Sequence, residues 1–164
     1  MVTTLVALLV MALLVVVVAR ATLGPSATRT ATTVPVTPLS DARATEARQN
    51  LQSALGTLEQ TDVDGQGSIS VTALRSDNPS LTFTTGPSTG ADSISVAVPG
   101  DNSSITLAAR AGDGCWWLWW SGVAVSYGHS PSAVVCQATT LDTAPTDGPS
   151  TLGVTWQSDS FPAS

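Results

Sequence analysis

The run Cys115-Trp116-Trp117-Leu118-Trp119-Trp120 constrains this chain more than any other stretch. Side chains alternate across a β-strand, so Trp116, Leu118 and Trp120 share one face while Trp117 and Trp119 take the other. Covering one face needs one layer of structure. Covering both needs a second, which the C-terminal tail with Trp156 is placed to supply. Left open, the second face would be an aromatic platform of Trp117 and Trp119, suited to cell-wall glycan or a partner protein. Both outcomes follow from the same six residues.

Neighbouring segments read as further strands. Leu81-Thr82-Phe83-Thr84 ends at Gly86-Pro87. Ser93 to Val98 alternates with period two and meets the turn Pro99-Gly100-Asp101-Asn102. Ile105 to Ala109 alternates again before Gly112-Asp113-Gly114. Short connections predict antiparallel neighbours. Ahead of them, Ala44, Ala47, Leu51, Ala54, Leu55 and Leu58 recur at three- and four-residue spacing, predicting an amphipathic helix over Ser40 to Gln60. The expected architecture is α+β, with one amphipathic helix packed on a 3–5-stranded antiparallel meander over residues 40–140. Residues 141–164 read as a mostly coil tail with one edge strand over Thr151 to Gln157.

Residues 1–20 have a different character. Met1 to Ala19 carries no charged side chain and is long enough to cross a bilayer. It predicts a single-pass membrane anchor with the bilayer as partner. Residues 21–39 are Thr- and Pro-rich, and Pro25, Pro35 and Pro38 forbid one continuous helix. An extended linker of that length reaches on the order of 60 Å. Cys115 and Cys136, the only two cysteines, predict a disulfide if the head lies outside the membrane, where oxidising conditions let such bonds persist.

Charge narrows the function classes. Twelve acidic residues stand against six basic ones, all of them Arg, so the net charge is −6. Clustered Lys and Arg for a nucleic-acid backbone are missing. Asp62-Val63-Asp64-Gly65-Gln66-Gly67 has the spacing of the opening of an EF-hand loop, making Asp62, Asp64 and Gln66 candidate calcium ligands. Ala73 stands where such loops carry a bidentate glutamate, so any calcium binding here is expected to be weak. Tyr127-Gly128-His129-Ser130 places a His beside a Ser, but adjacency in sequence is not triad geometry. No catalytic residue is assigned.

Thr4-Leu5-Val6-Ala7-Leu8-Leu9-Val10 resembles the start of the helix of type IV pilins and type II secretion pseudopilins. Ala7 stands where those proteins carry glutamate, and Met1 and Val2 precede Thr3 where they carry a leader ending in Gly. The order of helix, Gly-containing loop, Asn78-Pro79-Ser80-Leu81 and the later Gly-Cys-aromatic strand resembles the heads of actinobacterial type IV pilin-like proteins. The resemblance implies a non-catalytic extracytoplasmic domain, an accessory or minor subunit of a pilus or secretion-type assembly. Its partners would be pilin or pseudopilin subunits or the cell wall.

Overall fold

The computed structural model describes residues 39–163 apart from 64–68 and 113. The expected anchor (1–20) and all of the linker before Leu39 lie outside the described residues. The rest is α+β. Helix α1 spans Leu39–Val63 and helix α2 spans Val71–Asp77. Seven strands follow: β1 Thr82–Thr84, β2 Ser93–Ala97, β3 Ile105–Ala111, β4 Gly114–Trp120, β5 Val125–Ser130, β6 Gly148–Pro149 and β7 Thr155–Gln157. They form one sheet in the order β1-β2-β3-β4-β5-β7-β6.

The helix forms as its spacing predicts. Ala44, Ala47, Leu51, Ala54, Leu55 and Leu58 are all buried, against Ile94, Val96, Leu107, Ala109, Trp116 and Leu118 of the sheet. Small Ala side chains let the helix approach the sheet closely, while the Leu residues fill the space between. Helix α2 is absent from the sequence expectation. Ser70 caps it, its Oγ accepting from Ala73 N–H at 3.2 Å, and Leu74 anchors it at 1% exposure.

The sheet departs from the expected meander in three ways. It has seven strands. Its first pair, β1 with β2, is parallel, with Thr82 opposite Ser93 and Thr84 opposite Ser95. The connection over residues 85–92 is long enough to return the chain to the starting end before β2 begins. Buried Ser88 holds that return: its N–H donates to Cys136 O at 2.7 Å, and its Oγ accepts from Arg110 N–H at 2.8 Å. Third, the tail belongs to the sheet. β7 pairs with β5 and is not an edge, because β6 pairs outside it.

Register across the sheet explains how so many indoles fit. Ser95, Ala108, Trp117, Gly128, Trp156 and Gly148 lie opposite one another in turn on six successive strands. Large residues in this row sit beside small ones. A Cβ on Gly128 would lie 2.7 Å from Val154 Cγ1 and 3.0 Å from both Trp117 Cβ and Trp156 Cε3. Only a hydrogen fits between the two indoles.

Candidate functional site

The two faces of the Trp strand are both buried, but by different means. On the helix side, Trp116, Leu118 and Trp120 join the core under α1. On the other side, Trp117 is 6% and Trp119 4% exposed, covered by the chain that follows β5. Val154 and Trp156 pack there, and the Trp117 and Trp156 rings meet edge to face at 6.4 Å. An exposed platform of Trp117 and Trp119 is therefore corrected. The second layer that two-sided burial requires is present: it is the segment between β5 and β6, with Ala133, Cys136, Ala138 and Leu141, while Trp156 packs alongside from β7 of the same sheet.

That covering segment is held at defined points. Ala138 N–H donates to Ser95 Oγ at 3.0 Å, and Leu141 O accepts from Ser104 Oγ at 2.9 Å and from Trp119 Nε1 at 3.1 Å. Cys115 and Cys136 form a disulfide with their Cα atoms 5.3 Å apart and both side chains buried. Arg110 reaches over the same end, donating from Nη2 to Ala133 O and Val134 O at 3.1 and 3.0 Å.

The helix side carries a cluster that no sequence motif announced. His129 lies in β5, not in a loop, and stacks on Trp116 with centroids 4.0 Å apart and planes 17° apart. The Arg48 guanidinium sits over the Trp116 ring at 4.9 Å, a cation–π geometry. Its Nε donates to Ala44 O at 3.3 Å and its Nη2 to Thr45 Oγ1 at 3.2 Å. Phe161, from the segment after β7, closes on Trp116 at 5.7 Å and on Tyr127 at 4.7 Å. Burial pushes the His129 pKa below its ordinary 6.5, and the nearby Arg48 charge adds to the effect. His129 and Ser130 are consecutive strand residues, so their side chains point to opposite faces.

A second groove runs between α1 and α2. Asn78 Nδ2 bridges the helices, donating to Ser53 Oγ at 3.2 Å and Thr57 Oγ1 at 3.3 Å. Asn78 Oδ1 in turn accepts from Ser80 Oγ at 2.6 Å.

The candidate calcium ligands fall largely outside the described residues. Asp62 belongs to the last turn of α1 by its backbone. Its side chain, Asp64 and Gln66 lie outside the described residues. Among the described residues, no group of three His, Cys, Asp or Glu side chains is placed to hold a metal ion. Among them, too, no helix is long and apolar enough to cross a membrane. Compared with known proteins, the chain matches no family model, no curated protein and no solved structure.

Proposed function

We propose that this chain is a non-catalytic, membrane-anchored pilin-like protein whose head lies outside the membrane, an accessory or minor subunit of a pilus or secretion-type assembly. The observation that carries the location is the disulfide. A buried Cys115–Cys136 bond belongs to an oxidising compartment. The anchor and the assembly role rest on the apolar run of residues 1–19 and on its resemblance to pilin helices. A long helix laid on a mixed, mostly antiparallel sheet that carries a disulfide is compatible with that reading. The rival reading, a module that grips glycan with Trp117 and Trp119, loses its surface because both indoles are buried.

The experiment is topological. A membrane-impermeant protease applied to intact cells cleaves the head if it lies outside, and sequencing of the mature protein locates its N-terminus. A head protected in intact cells and cleaved only after lysis would overturn the proposal. Cross-linking from single cysteines on the exposed face of α1 then tests assembly. Adducts with a pilin or pseudopilin support the role, and the absence of any adduct refutes it.

A further inference from the structure

On the helix side of the sheet, a groove of about 330 Å³ lies between α1 and the segment after β7. That volume is at the lower end of ligand sites. Its floor is two half-buried rings, Tyr127 and Phe161, with centroids 4.7 Å apart. Its walls carry Gln49 and Gln52 from α1 and Asp159 from the tail segment, all three exposed. None of those three makes a side-chain hydrogen bond or ion pair among the described residues, and neither does the Tyr127 hydroxyl. Arg48 stands in the same groove, immobilised by the Trp116 ring and by its bonds to Ala44 O and Thr45 Oγ1.

The chemistry of these groups is specific. The two rings, tilted 60° to each other, offer adjoining apolar faces to the C–H groups of a ligand. Around them stand two amides that both donate and accept, one carboxylate that accepts, and one guanidinium that donates. A ligand matching this set presents an apolar ring face bordered by groups that are donor and acceptor at once. Sugar hydroxyls have that property. An apolar peptide would leave the amides and the carboxylate desolvated and unpaired, which is costly. An anionic ligand meets Asp159 and a strongly acidic head, since all twelve acidic residues but only four arginines lie beyond residue 39. We infer that this groove binds one or two units of a neutral glycan, with the ring face on Tyr127 and Phe161 and the hydroxyls on Gln49, Gln52, Asp159 and Arg48. This site goes beyond the assembly role and needs neither anchor nor filament, so the two fail separately.

The test uses the full chain in a zwitterionic detergent free of sugar headgroups. It is titrated calorimetrically with neutral tetrasaccharides of β-1,4-linked N-acetylglucosamine, β-1,4-linked glucose and α-1,6-linked mannose, and with a galacturonate tetramer as the anionic comparison. Saturable binding of at least one neutral tetramer is expected, in the micromolar to millimolar range. Tyr127 is the only tyrosine, so its ring signal reports contact directly. The double variant Gln49→Ala/Gln52→Ala should weaken binding at least about tenfold. Its melting temperature should not fall, because both side chains are exposed and Ala is a better helix former. The proposal is overturned if no neutral tetramer binds saturably, if galacturonate binds best, or if the double variant binds like the parent.

Discussion

Gly128 offers a sharp test of how the sheet is packed. Replacing it by Ala adds one methyl group between two indoles and a valine. The new carbon would lie 2.7 Å from Val154 Cγ1 and 3.0 Å from Trp117 Cβ and Trp156 Cε3. Relaxed carbon contacts lie at about 3.5–4.0 Å, so the neighbours must yield by roughly 0.5–1 Å. Trp117 is fixed at its own Cβ, and Val154 and Trp156 are 0% and 1% exposed, so little can move cheaply. Overpacking of this kind costs about 1–3 kcal/mol. Against it stands the usual gain on removing a glycine, about 0.5–1 kcal/mol. A net loss of about 1 kcal/mol, and at most about 2.5, is expected. With a urea m-value of about 1–3 kcal/mol/M, the midpoint falls by on the order of 0.5–1 M. Indole fluorescence reads the transition directly. Gly56→Ala is the matched control, since nothing lies within 4 Å of a Cβ there and the site is an exposed helix position. That variant should gain about 0.5–1 kcal/mol. If Gly128→Ala melts at or above the parent midpoint, the close Trp117–Gly128–Trp156 packing does not limit stability and the reasoning fails.

Other expectations follow from single contacts. Reducing Cys115–Cys136, which lie 21 residues apart, should cost about 3 kcal/mol; a shift below about 1 kcal/mol in denaturant melts would mean the loop is already ordered without the bond. His129 has its pKa lowered by burial and by Arg48, so the unfolded chain binds the proton more readily. Stability should therefore decline as pH falls below about 6.5 and level off below the native pKa. His129→Phe, which keeps a stacked ring, should flatten the profile between pH 7 and 5.5, and an unchanged slope would assign it to other groups. Arg75 Nε and Nη2 donate to Phe83 O of edge strand β1 at 2.8 and 2.6 Å. Arg75→Ala should lose about 1 kcal/mol and promote self-association by sedimentation, since it uncovers a strand carbonyl. A monomer of parental stability would show that this contact is incidental.

How much of this was legible depended on periodicity. The buried face of α1 was readable because six apolar residues keep helical spacing. β2 and β3 were readable because they alternate, and β4 because a short aromatic run follows the turn Gly112-Asp113-Gly114. β5 was not, since Tyr127-Gly128-His129-Ser130 mixes a turn residue with a polar ring. What makes it a strand is the need for a small residue beside Trp117, and that need appears only once the register is known. The parallel β1–β2 pair was hidden because a turn signal at Gly86-Pro87 says nothing about how far the chain then travels. Ser70 ahead of Val71-Thr72-Ala73-Leu74 was a usable capping signal for α2. The groove around Tyr127 draws on α1, β5 and the segment after β7. No spacing rule links positions so far apart in the chain. For the disulfide, sequence supplied both partners, because only two cysteines exist.

That Trp117 and Trp119 are covered by residues later in the chain has a consequence for synthesis. Ribosomes make chains from the N-terminus at about 5–20 residues per second. Helix α1 and strands β1 to β4 are therefore complete before Val154 and Trp156 exist. For on the order of seconds, Trp117 and Trp119 stand bare on a nascent sheet, and Cys115 has no partner until residue 136 emerges. The aromatic platform that the finished protein lacks is thus a passing feature of its birth. During that interval the chain presents more apolar surface than the finished protein does.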